Sequence, residues 1–243
     1  MDIEPDWGIS GWQAVREQLP ALLSLLDRLG AKATFFVVSD MLSHCRQPLE
    51  LAAHAHEIGS HGVSHGRLDR MPAEECKQEL EESRSRLEEA LQVEVKGIRA
   101  PFLAIPDGWF RMIRRAGYSY DSSVGSVYPS PVNIPAWRWT ARRSDGIVEL
   151  PPTTLWPGIL PFSLTYLRIL APVGPALAPP GGVFYFHLHE LAEPELSGML
   201  EPPLRWALRR HVGTSAWDIL RRLLETWRGP IISCQEWLTG HGF

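Results

Sequence analysis

The chain has 243 residues and 44% hydrophobic content, enough for a substantial core, and we read residues 1–243 as a single domain. Its 24 basic and 28 acidic residues give a net charge of −4, which offers no basic surface to a nucleic-acid partner. The cysteines, Cys45, Cys76 and Cys234, are far apart and form no CxxC, so neither a cysteine zinc site nor a disulfide framework is indicated.

Taken in order, the chain alternates. Asp2, Ile3 and Glu4 open it; on an extended segment the two carboxylates point to one side. Leu19, Leu22, Leu26 and Leu29 recur at helical spacing, and Gly30 stops that helix. Residues 33–38, Ala-Thr-Phe-Phe-Val-Val, read as a buried strand. A short helix is expected from Leu49 to His56, followed by Glu57-Ile58-Gly59 leading into His61. Pro72 suits the first turn of a helix whose apolar face is Cys76, Leu80, Leu87 and Leu91. Val95 to Arg99 reads as a strand, Trp109 to Ala116 as a helix, and Tyr118 to Asp121 and Ile147 to Leu150 as strands. Phe162 to Leu177 is apolar but broken by Arg168 and prolines, which suits a buried helix or a surface touching lipid. Gly182 to His187 is the strongest late strand, Ser215 to Trp227 an amphipathic helix, and Pro230 to Cys234 a last strand. Strands alternating with helices predict a parallel α/β fold, as an open sheet or a closed barrel. No GxGxxG follows the first strand, which argues against a dinucleotide site. No apolar run spans a membrane, and the acidic start lacks a signal-peptide core, so the expected location is cytoplasmic or membrane-peripheral.

Four clusters fall at or just after predicted strands: Asp2 with Glu4, His61 with His65, Arg99 with Pro101 and Phe102, and His187 with His189. In a parallel α/β fold the strand C-termini share one face, so these clusters converge there. Two histidines and a carboxylate suit a divalent metal with open positions. A second carboxylate can act as base, an arginine can keep it ionised, and a further histidine can protonate a leaving amine. Together the parts suit hydrolysis of an amide or ester.

Six stretches in order, "MDIEPDW", "ATFFVV", "HEIGSHGVSH", "GIRAPF", "GYSYDSSV" and "VFYFHLHE", resemble the motifs of the polysaccharide deacetylases. This is the NodB-homology domain, carbohydrate esterase family 4. The resemblance implies a distorted (β/α)7-type barrel that removes N-acetyl groups from the sugars of a bacterial polysaccharide or lipid-linked, membrane-associated glycan. It implies Asp2 as base, Arg99 as its partner, and His61 and His65 as ligands of a divalent metal, usually zinc. His187 is implied as general acid, with His189 the alternative. The family's commoner first motif has adjacent aspartates; here Glu4 is the expected third ligand and Asp6 a second candidate. Pro101, Phe102 and Asp121 are candidates for contact with substrate, although Asp121, Ser122 and Ser123 also suit a purely structural turn. Trp137 and Trp139 read as core rather than a sugar platform. Two alternatives stay open: a metal-free hydrolase of a small cyclic amide, and a non-catalytic glycan-binding relative. Only Met1 precedes Asp2, so the reading leaves two alternatives: the start is truncated or misassigned, or a shortened first strand suffices.

Overall fold

A computed structural model describes residues 1–5, 11–125, 141–155, 160–192 and 209–243. Asp6, Trp137 and Trp139 lie outside them.

The strands are short, parallel and buried. β1 (Asp2–Ile3) pairs with β2 (Thr34–Val37), which pairs with β3 (Glu57–Ser60). β4 (Gly97–Ile98) and β5 (Tyr120–Asp121) follow, and β7 (Ile147–Glu149) pairs with β5. β6 (Arg142–Ser144) adds antiparallel to the far side of β7 through a turn in which Asp145 and Gly146 both have positive φ. The sheet order is therefore β1-β2-β3-β4-β5-β7-β6. Beyond β7, Pro152 bridges Val183, and His187 bridges Asp2 of β1. The backbone bonds Thr153 N→Val183 O (3.1 Å) and Asp2 N→Phe186 O (3.0 Å) join the two edges through this segment. The ring closes in the manner expected of a distorted barrel.

Helices cover the outside. α1 (Gln13–Arg28) buries Val15, Leu19, Leu22 and Leu26, and α2 (Leu42–Ala55) buries Leu49. α3 (Ala73–Leu91) starts after Pro72 and buries Cys76, Leu80, Leu87 and Leu91, the face read from the sequence. These pack on Ile3, Phe35, Val37, Ile58 and Ile98, the outward residues of the strands. The alternate residues Phe36, Tyr120 and Val148 turn the other way and meet Leu150 and Leu238 inside. α4 (Trp109–Arg115), α5 (Leu164–Ile169) and α6 (Thr214–Thr226) complete the outer layer. Among the described residues no helix is long and apolar enough to cross a membrane.

Three expectations needed correction. Residues 182–187 form isolated bridges rather than a continuous strand. Their neighbours change along the segment, from Pro152 to Ser163 to Asp2, and Pro152 has no N–H to donate. Residues 162–177 hold the short α5 and a separate 3-10 turn, Gly174–Leu177, rather than one helix, because Pro172 follows the first. The end of the chain carries no last strand; Ser233 caps a helix, α7 (Cys234–Gly240), with Glu236 bonding back to the Ser233 amide at 2.9 Å. The S-x-x-E capping pattern was present in the sequence and unused. α7 closes the N-terminal end of the ring: its first amides bond Thr34 Oγ1 (2.8 Å) and Glu57 Oε2 (3.0 Å) at the starts of β2 and β3.

Candidate functional site

The opposite end of the ring carries the polar side chains. Asp2 lies in β1 with Glu4 just beyond it, His61 follows β3, Arg99 follows β4, and His187 bridges β1. Residues read as separate clusters along the sequence thus meet at the strand C-termini.

The approach of His61 and His65 depends on two glycines. Gly59 in β3 lies against the Phe36 ring, where an added Cβ would sit 2.6 Å from Cδ1. Gly62 adopts φ +81°, the turn between the histidines, and His65 itself has φ +62°. Glu79 of α3 pins that turn: its Oε1 accepts from the amides of Val63 (2.8 Å) and Ser64 (2.9 Å). Sequence reading passed over Glu79 as part of a charged face. Its signal was a carboxylate beside Leu80, one turn before the buried Ser83, which itself donates to Gly62 O at 2.8 Å.

Asp2 and Arg99 form a buried pair. Arg99 Nη1 donates to Asp2 Oδ1 at 2.7 Å, Nε to Ser122 O at 3.0 Å, and Nη2 to Ser122 Oγ at 2.8 Å. The guanidinium also stacks 4.4 Å from the Phe36 ring centroid. Burial works against the charged carboxylate, but Arg99, helped by His61, outweighs it and holds Asp2 at about 2. Asp2 is ionised, with one oxygen fixed and Oδ2 3.9 Å from His187 Nε2.

Glu4 is buried between the two histidine pairs. Its Oε2 lies 2.7 Å from His65 Nε2 and 3.5 Å from His61 Nε2. His61 Nδ1 meets the Arg99 carbonyl at 2.6 Å. A carbonyl only accepts, so Nδ1 carries the proton and Nε2 presents its lone pair toward Glu4. His65 Nε2 is buried and not aligned for a hydrogen bond with any group. Two imidazole nitrogens and a carboxylate oxygen, with one nitrogen unaligned for hydrogen bonding, match the donor set of a catalytic divalent ion. Burial opposes the charge on Glu4, but His187, with His61 and His65 close by, holds it well below the usual carboxylate range.

His187 stands across from this group. Its Nε2 is 3.9 Å from both Asp2 Oδ2 and Glu4 Oε1. Its Nδ1 faces Glu190 Oε1 at 3.3 Å, and Glu190 is held in turn by Arg168 Nε and Nη2, both at 2.9 Å. Burial disfavours the imidazolium, yet Glu4, Glu190 and Asp2 raise it to about 9. Burial, together with the adjacent His187, pushes His189 down to about 4. At neutral pH His187 therefore carries a proton to give, and His189 does not. Glu190 is buried and orients His187.

The expected substrate contacts separate. Phe102 is 48% exposed and packs its ring on His65 at the mouth of the site. Pro101 and Asp121 are buried and support the site from beneath. Asp121 lies in register with Glu149 on neighbouring strands, each with one buried oxygen that meets no donor. Burial raises both carboxyls, Glu149 further because of Asp121. Ser123 links this pair to the arginine segment: its Oγ donates to Asp121 Oδ1 at 2.5 Å and accepts from Ala100 N at 2.8 Å.

Residues 9–120, just under half of the chain, match the family model described as polysaccharide deacetylase. The match includes His61, His65 and Arg99; Asp2, Glu4 and His187 lie outside it. The fold is similar to that of a protein from Mycobacterium smegmatis assigned as a polysaccharide deacetylase, at 20% identity and TM-score 0.64. That likeness covers 93% of this chain and 77% of the other. It is also similar to a pseudoenzyme of carbohydrate esterase family 4 from Bacillus anthracis (14%, TM-score 0.59), covering 97% of this chain and 63% of that one. A variant of that pseudoenzyme with restored enzymatic activity matches at 16% identity and TM-score 0.56, covering 97% and 65%. The chain thus spans less than two thirds of the Bacillus protein. No curated protein sequence matches it.

Proposed function

We propose that this chain is a metal-dependent hydrolase that removes N-acetyl groups from a glycan. The observation that carries the reading is the placement of an ionised Asp2 and a protonated His187, facing one another at 3.9 Å, beside the His61, His65 and Glu4 donor set. His61, His65 and Glu4 would hold a divalent ion, zinc by donor chemistry. When bound, such an ion supplies a Lewis acid for the acetyl carbonyl and lowers the pKa of water. Asp2 accepts the proton of the attacking water at Oδ2, while Arg99 keeps Oδ1 occupied and the carboxylate charged. The acetamide C–N bond breaks, and His187 Nε2 delivers its proton to the departing sugar nitrogen. Glu190 retains the imidazole orientation through Nδ1. The products are acetate and a free amino sugar. Phe102 supplies an apolar edge against which a sugar ring can lie.

The test is metal content of the purified protein beside a His61→Ala/His65→Ala double variant, followed by acetate release from a panel of N-acetylated oligosaccharides. The expected result is about one ion per chain, lost in the variant, with acetate release abolished by Asp2→Asn. Absence of metal after zinc incubation, or acetate release that survives loss of both histidines, would overturn the reading.

A further inference from the structure

Glu4 presents a different oxygen to each histidine pair. Oε2 faces His61 and His65, whereas Oε1 lies 3.9 Å from both His187 Nε2 and His189 Nδ1. Asp2 Oδ2 stands 3.9 Å from the same His187 nitrogen. These separations are too long for hydrogen bonds. They are close to the spacing of ligands around one ion: legs of about 2.1 Å in a tetrahedral site put donor atoms about 3.4 Å apart.

We propose that Glu4, His187 and His189 form a second metal-ion site, with Asp2 Oδ2 beside it, so that Glu4 can bridge two ions. Three observations support it besides the spacing. The two imidazole planes are 11° apart with centroids at 5.1 Å, so the rings stand parallel with both nitrogens close to the Glu4 carboxylate. His187 has the support that metal-bound histidines use, its other nitrogen facing a carboxylate, Glu190, fixed by Arg168. Finally, the side chains of His187 and His189 are 22% and 14% exposed, which leaves a path for an ion from solvent. The donor set, two nitrogens and carboxylate oxygen, suits zinc, cobalt, nickel or copper over magnesium or calcium.

The site's consequence, which rests on the hydrolase reading above, is inhibition. An ion there takes the Nε2 lone pair of His187 in place of the proton it would deliver, and it sits against the Asp2 oxygen that would accept one. Excess metal therefore removes both proton-transfer groups at once, while the first site stays filled.

The experiment is calorimetric titration of zinc into metal-stripped protein, with cobalt absorption as a second readout, on the wild type, His189→Ala, His189→Asn and the His61→Ala/His65→Ala variant. Circular dichroism verifies that each is folded. The expected result is two binding events in the wild type, one lost in both His189 variants and the other lost in the double variant. A single event in the wild type that both His189 variants retain would overturn the second site and leave the hydrolase reading standing. A single event lost in the His189 variants but kept in the double variant would place the ion at the second site and overturn the hydrolase reading instead. No event in any protein would overturn both.

Discussion

Replacing Arg99 by Met keeps most of the side-chain volume and removes the charge and all three hydrogen bonds to Asp2 and Ser122. Both partners of the ion pair are buried, so water cannot take over the lost contacts. Breaking a buried pair by deleting one partner typically costs about 3–5 kcal/mol, because the other charge is stranded. Against a total stability of roughly 5–15 kcal/mol this is a large fraction. It corresponds to a fall in Tm of roughly 6–20 °C for a chain of this size. The pH dependence tells stranded charge from lost packing. In the wild type, Asp2 is depressed from 3.8 to about 2, so its contribution is complete above the unfolded value and is lost as pH falls from there toward about 2. In the variant, burial loses its largest opponent, Asp2 rises, and acidification relieves the stranded charge. Urea denaturation followed by circular dichroism should therefore show a deficit that is largest near neutral pH and shrinks markedly toward about pH 3. A deficit under about 1 kcal/mol, or one that stays constant across that range, would refute the claim that Arg99 acts chiefly by holding Asp2 ionised.

Other variants probe the supports of the site. Gly59→Ala places a methyl 2.6 Å from the Phe36 ring and 3.2 Å from the Gly97 carbonyl, and should cost roughly 1–3 kcal/mol in urea denaturation; a neutral result would mean that the ring yields freely. Glu79→Gln weakens the bonds that fix the turn between His61 and His65, so zinc affinity should fall about 10–100-fold with little change in Tm. Unchanged affinity would remove Glu79 from any role in the site. Glu149→Gln keeps a donor for Asp121 and should cost less than about 1 kcal/mol, whereas Glu149→Leu leaves Asp121 buried without that donor and should cost about 1–3 kcal/mol. Equal losses in the two variants would argue against a hydrogen bond between the two side chains.

The sequence made the convergence of Asp2, Glu4, His61, His65, Arg99 and His187 legible, because each lies at or just beyond a strand and parallel strands end on one face. It also made legible the core of α3, whose apolar residues repeat at helical spacing. The supporting residues were harder. Glu79 and Glu149 act through partners far along the chain, and no local spacing encodes which carboxylate will face which amide or acid. Pro101 and Asp121 carried the right motif positions but the wrong depth, since burial depends on the whole ring. The failed strand at 182–187 is a similar case: its apolar run is real, but its partners alternate along its length. At Cys234 a β-branched run, Ile231-Ile232, hid a helix start that only the Ser233 and Glu236 pair announced.

The bridge between Asp2 and His187 joins the start of the described chain to a segment near its end. During synthesis His187 emerges long after Asp2, so no chain that stops short of residue 187 can bring the two together. Closure over such a sequence distance is entropically costly and tends to be slow. Under the proposed reaction, turnover is thus tied to completion of the barrel, because the bridge that brings Asp2 and His187 together is also one that closes the ring.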